Sequence, residues 1–138
     1  MSVRLAQPED LPALKRIDRW PKEWMWQQKT AAREVIVLEL DNKIVGLARY
    51  DVLWTTVPFL GLIEIEESYQ KQGHSRALLT FLIEHLKAQG YVALLSSSQT
   101  NEPEPQQWHL HMGFTSNGII ENIADEGVGE LIYRMMLE

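Results

Sequence analysis

Cysteine is absent from this 138-residue chain. Disulfides, thiolate nucleophiles and cysteine-held zinc are therefore excluded. A basic surplus is missing too: 13 Lys and Arg stand against 19 Asp and Glu, a formal charge of −6. Bulk nucleic-acid binding needs a basic face and is not expected, whereas a cationic partner is. No apolar run has the length of a membrane span, and Met1-Ser2-Val3-Arg4 lacks a signal-peptide core. The expectation is a cytoplasmic protein that engages neither nucleic acid nor membrane. Repeats, linkers and low-complexity tracts are also lacking. With 45% hydrophobic and 23% charged residues, positions 1–138 read as one folded domain.

What is present is a run of alternating strand and helix patterns. Val3–Ala6 reads as a strand, and Pro8-Glu9-Asp10 opens a helix carrying Leu11, Leu14 and Ile17. Pro21 restarts a helix through Trp24, Met25 and Trp26. Val35–Leu40 and Lys43–Tyr50 are strands of a hairpin turned by Asp41-Asn42, two residues tolerant of positive φ. A strand at 59–66 precedes a helix at 74–89, whose apolar stripe ends before Gly90. A buried-type strand from Tyr91, a short helix near 105–112 and strands at Phe114–Ile120 and Glu130–Met135 complete the order β-α-α-β-β-β-α-β-α-β-β.

The most informative stretch is Tyr69-Gln70-Lys71-Gln72-Gly73-His74-Ser75-Arg76. A strand that turns through glycine into a helix start presents unpaired N–H groups at one point, and the helix dipole adds positive potential. Such a turn is a seat for phosphate. An αL glycine in an ordinary strand–helix turn is the plain alternative.

The element order, Gln70-x-x-Gly73-x-Ser75 and His109-Leu110-His111-Met112-Gly113-Phe114 together resemble the GNAT superfamily of acyl-CoA-dependent N-acyltransferases. The first motif matches that family's Gln/Arg-x-x-Gly-x-Gly/Ala pyrophosphate loop except at Ser75. The second is similar to its Tyr-x-x-x-Gly-Phe element, with His109 in the tyrosine's place. The resemblance covers nearly the whole chain. It implies an α/β fold with a mixed, mostly antiparallel seven-stranded sheet and helices on both faces.

It further implies acetyl-CoA, or another short acyl-CoA, as co-substrate, with no metal. The amides of Lys71, Gln72, Gly73, His74, Ser75 and Arg76 would hold the pyrophosphate, and Gln70, Lys71 and Arg76 would add donors or charge. The backbone of Ile63 and Ile65 would pair with the pantetheine arm like an added strand. Asn101 matches a frequent pantetheine-side asparagine. His109 and His111 lie about 200° apart around their helix, so they do not grip one metal.

Acyl transfer from a thioester to an amine needs a neutral amine, a stabilised oxyanion and a proton for the departing thiolate. With a pKa of about 10.4, roughly one alkyl amine in two thousand is neutral at pH 7. A base is therefore the first requirement. Glu64, the lone charge in an apolar strand segment, is the candidate, against the reading of a solvated or paired strand-end carboxylate. Ile63 and Ile65 should share a core-facing side while Glu64 points the other way. His109 is the candidate acid, against a packing histidine. Trp24 and Trp54 are candidates to enclose the amine, although tryptophans at helical spacing more often serve the core.

The sequence thus points to an N-acetyltransferase acting by direct attack in a ternary complex, since no cysteine exists for an acyl-enzyme. A small cationic amine is the expected acceptor. Protein N-terminal or lysine acetylation and a non-catalytic acyl-CoA-binding regulator stand as alternatives, and a homodimer is compatible with the sequence.

Overall fold

The computed structural model describes residues 1–138. In chain order the elements are β1 (Ser2–Leu5), α1 (Leu11–Ile17), α2 (Glu23–Ala31), β2 (Val35–Leu40), β3 (Lys43–Leu53), β4 (Val57–Ile65), α3 (His74–Ala88), β5 (Ala93–Gln99), α4 (Pro103–His111), β6 (Thr115–Ile120) and β7 (Glu130–Met136). Short 3-10 turns precede α1 (Pro8–Asp10) and follow β4 (Glu67–Tyr69). The order is the expected one. β3 continues past Tyr50 to Leu53, and α4 starts at Pro103 rather than 105, because proline at a first helical position loses no intrahelical bond.

The strands form one seven-stranded sheet in the order β1-β2-β3-β4-β5-β7-β6. The β4–β5 pairing is parallel, and the β1–β2, β2–β3, β5–β7 and β6–β7 pairings are antiparallel. A mixed, mostly antiparallel sheet was the expectation. No helix is long and apolar enough to cross a membrane. Contacts group the chain into two compact units: Met1–Asp51 with Gly61–His85, and Val52–Leu60 with Leu86–Glu138.

In the first unit Asp41 (φ 48°) and Asn42 (φ 64°) take the left-handed turn that matches strand twist, which fixes the hairpin register Leu40↔Lys43. β2 reads Val35-Ile36-Val37-Leu38 without alternation, and all four side chains are fully buried, as for a strand covered on both faces. Leu14 of α1 and Trp26 of α2 close one core over Val35, Val37 and Leu47. Burying each such aliphatic side chain contributes about 1.5–3 kcal/mol. Asp10 secures the β1–α1 turn: it accepts two bonds from Arg4, at 2.7 and 3.1 Å, and the Gln7 N–H at 2.7 Å. The Arg4 bonds, with the Gln7 amide assisting, hold the Asp10 carboxyl below its ordinary range.

In the second unit α3 ends at Gly90 (φ 88°), where Tyr91 N–H reaches Leu86 O and Gly90 N–H reaches Lys87 O. That pair of bonds stops the helix and launches β5. Alternate β5 residues Leu94, Ser96 and Ser98 point into the interior, and Ser96 faces Tyr133 across the β5–β7 pair.

Candidate active site

The phosphate turn lies in the first unit. Lys71 (φ 62°) and Gly73 (φ 82°) both adopt left-handed backbone, which folds the chain sharply into α3. A Cβ at Gly73 would meet nothing within 4 Å, so glycine is required there by φ and not by space. Ala77 N–H is bonded to Gly73 O, and the amides ahead of it form the first turn that a helix leaves to outside partners. No acidic residue lies in that turn, while Lys71, Gln72 and Arg76 are exposed around it. His74 carries a buried Nε2 without a protein partner. Gln70 is used differently from the expectation of a phosphate donor: its Nε2 donates to Ile65 O at 2.8 Å and straps the turn to the end of β4.

Upstream on β4, Ile65 is buried, Ile63 half-buried and Glu64 exposed, so the expected alternation is present. Ile65 packs on Gly46 of β3, where a Cβ would lie 2.5 Å from its Cδ1 and 3.1 Å from Glu64 O. Although Glu64 as a whole is exposed, its carboxyl is partly desolvated by the protein around it; that desolvation, and secondly the negative charge of Asp18, push it above its ordinary value. No lysine or arginine offsets that shift. A carboxylate with a raised pKa and no salt-bridge partner is a stronger base than a free glutamate.

Asp18 ends α1 with its side chain 1% exposed, and it accepts Arg49 Nε at 2.6 Å. Arg49 in turn lines a groove of about 560 Å³ that also takes in Trp20, Trp24, Met25, Lys29 and Asp51. Trp24 therefore has Trp20 for company, and both rings are open to solvent, at 52% and 88% exposure. A cavity of similar size, about 550 Å³, is lined by Leu5, Pro8, Leu11 and Trp26 and contains none of the sequence-derived site residues.

The second unit holds the remaining candidates. Asn101 is exposed in the turn between β5 and α4, and Trp54 stands 80% exposed at the β3–β4 turn with φ 53°. His109 is 5% exposed. Its Nδ1 lies 2.7 Å from Pro105 O and its Nε2 2.7 Å from Ser96 Oγ. A carbonyl accepts only, so Nδ1 carries the proton; in the neutral ring Nε2 then accepts from the Ser96 hydroxyl. The imidazole stacks on Tyr133 with ring centres 4.2 Å apart and planes 4° from parallel. Burial pushes the His109 pKa down, only partly countered by the Pro105 bond.

Ser96, Tyr133, Asp18 and Arg49 were not singled out from the sequence. Period-two spacing of Ser96 and Ser98 behind Leu94 was the only signal for two inward hydroxyls, and Tyr133 meets the second at 2.8 Å. Nothing local marks Asp18 or Arg49, which are 31 residues apart.

Comparison with known proteins supplies the family. The model of the acetyltransferase (GNAT) family matches residues 4–114. A search of curated protein sequences returns no significant match. Among solved structures the chain is similar to a GNAT-family acetyltransferase from Bacillus cereus, at 24% identity and TM-score 0.84 over 99% of this chain and 97% of that one. It is similar to yncA of Salmonella typhimurium, solved with its cofactor acetyl-CoA, at 17% identity and TM-score 0.84 over 100% and 94%. It also resembles the ribosomal-protein-alanine N-acetyltransferase of Brucella melitensis, at 20% identity and TM-score 0.85 over 99% and 100%.

Proposed function

The chain belongs to the acetyltransferase (GNAT) family, and on that premise we propose that it transfers an acetyl group from acetyl-CoA to a primary amine by direct attack within a ternary complex. The acceptor is a small molecule that arrives as an ammonium cation. The observation that carries this reading is the turn into α3, with left-handed Lys71 and Gly73, no acid in the first helical turn and a buried, unpartnered His74 Nε2. That chemistry fits an anionic diphosphate.

When bound, acetyl-CoA supplies an activated thioester. The amides of residues 71–76 hold its pyrophosphate, with charge from Lys71 and Arg76. The backbone of Ile63 and Ile65 aligns the pantetheine arm, and Asn101 gives it a polar contact. Glu64 takes the proton whose loss turns the arriving ammonium into the attacking amine; as the C–N bond forms and the C–S bond breaks, the nitrogen releases its second proton to water. Sulfur gains a proton in exchange, and His109 is the donor assigned to it. The neutral ring, which burial favours, has its one N–H on Pro105 O, so donation passes through the minor imidazolium form, whose Nε2 proton leaves by way of Ser96.

The test is release of free thiol from acetyl-CoA across a panel of amines and peptides, alongside melting with saturating coenzyme A. Thiol release with small amines and a raised melting temperature are expected. Release with peptides alone would move the acceptor to a protein. A second reading, a non-catalytic acyl-CoA sensor, draws on the neutral and fully engaged His109. Stabilisation by coenzyme A without thiol release for any amine would select it.

A further inference from the structure

The groove beside α2 contains two opposite charges that are close together and do not pair. Arg49 uses Nε on Asp18, and no protein acceptor takes a proton from Nη1 or Nη2. Nη1 passes 2.9 Å from where a Cβ would sit on Gly61, and Asp51 Oδ2 lies 3.6 Å from the same point. The bare backbone of Gly61 in β4 thus leaves room for a cationic and an anionic group side by side. The other cation of the groove is already satisfied: Lys29 Nζ reaches Tyr50 O at 2.6 Å, Asp51 Oδ1 at 2.6 Å and Glu34 Oε1 at 3.4 Å. Arg49 is therefore the groove's anion receptor, and its planar fork matches a carboxylate.

The rest of the groove is apolar and aromatic. Trp20 and Trp24 stand four residues apart with exposed rings, and Met25 is 37% exposed beside them. A bare polycation would leave Arg49 facing a like charge. A zwitterion uses the two groups left without a hydrogen-bond partner, the Arg49 Nη atoms and Asp51 Oδ2, and an apolar body attached to it covers the tryptophans.

We infer that the acceptor is a free α-amino acid with an aromatic or aliphatic side chain, its carboxylate on Arg49, its ammonium drawn by Asp51 and its side chain on Trp20 and Trp24. This rests on the acetyl-transfer reading and names the amine that reading leaves open. Asp18 joins the two sites, because the carboxylate that fixes Arg49 also acts on Glu64.

The test compares L-phenylalanine with L-phenylalaninamide and phenethylamine, which keep ring and amine and lose the carboxylate. Binding is read first, by titration calorimetry and quenching of tryptophan emission, without acetyl-CoA. Phenylalanine should bind about 10- to 100-fold more tightly than either analogue, the size of one charge-assisted contact. Arg49→Lys keeps a cation for buried Asp18 and loses the fork. It should erase that preference while leaving affinity for phenethylamine unchanged. Gly61→Ala, whose Cβ would fall 2.9 Å from Nη1 and displace the guanidinium, should do the same and guards against misfolding of the first variant. Equal or tighter binding of the amide or the bare amine by the wild type overturns the inference, whatever thiol release shows. Preferential phenylalanine binding without thiol release from acetyl-CoA upholds the pocket and overturns the acetyl-transfer reading instead.

Discussion

Ser96 Oγ lies 2.7 Å from His109 Nε2 at a point where both residues are buried. Because Pro105 O claims Nδ1–H, the hydroxyl is the ring's only other protein hydrogen-bond partner and stands on any route for a proton leaving Nε2. Ser96→Ala leaves that nitrogen without a partner. The expected result is a loss of about 1–3 kcal/mol in urea unfolding at pH 7.5. A fall in kcat with little change in KM for acetyl-CoA should accompany it. His109→Phe should lower kcat similarly, and an undiminished kcat in both variants removes His109 from the reaction.

The buried imidazole of His109 and the half-buried one of His85 also set a pH dependence of stability. Burial lowers the folded-state pKa of His109 and of His85, below an unfolded value of about 6.5. Between the folded and unfolded values the unfolded chain binds more protons. Their contribution is therefore complete above about pH 6.5 and is lost as pH falls through the folded-state values. Thermal midpoints should drop between pH 7 and 5. His109→Gln, less stable at pH 7, should show a shallower decline, and parallel declines would count against the buried neutral ring.

Glu64 carries the opposite sign of shift, raised by burial and then by Asp18. The rate should fall on the acid side as this carboxylate is protonated, and Glu64→Gln should remove that limb together with most of the activity. Asp18→Asn should move the limb to lower pH, since it deletes the charge that disfavours ionised Glu64. Rates at pH 5 to 9 for the three proteins decide it; an acid limb that stays in place in Glu64→Gln assigns the base elsewhere.

Gly73 is left-handed with free space around it. Gly73→Ala should therefore cost about 1–2 kcal/mol of backbone strain without a clash. KM for acetyl-CoA should rise several-fold with the acceptor KM unchanged, as measured by initial rates. Equal changes in both constants would detach this turn from the donor.

Gly46 is a different kind of glycine, forbidden a side chain by Ile65 Cδ1 and by Glu64 O. Gly46→Ala must turn the Ile65 side chain aside and press on the β4 backbone at Glu64 O, next to the proposed base. A stability loss of about 1–3 kcal/mol is expected in denaturant titration, with activity reduced beyond what the unfolded fraction explains. Full activity in the folded fraction would show that Glu64 tolerates the shift.

The element order, the Asp41-Asn42 turn, the glycine stop at Gly90 and the turn into α3 were all legible in the chain itself. Each depends on residues within a few positions of one another: hydrophobic period, positive-φ tolerance, a glycine before a helix start. Tertiary structure decided the rest. The partners of His109 come from β5 and β7, 13 and 24 positions away, and only their packing makes the ring neutral and buried. Arg49, Asp18 and Gly61 come together because α1 and the two strands meet in space, and no spacing in the sequence records that meeting. Local rules therefore reach the turn proposed to seat the donor, whereas the charges proposed to hold the acceptor belong to side chains that only folding brings side by side.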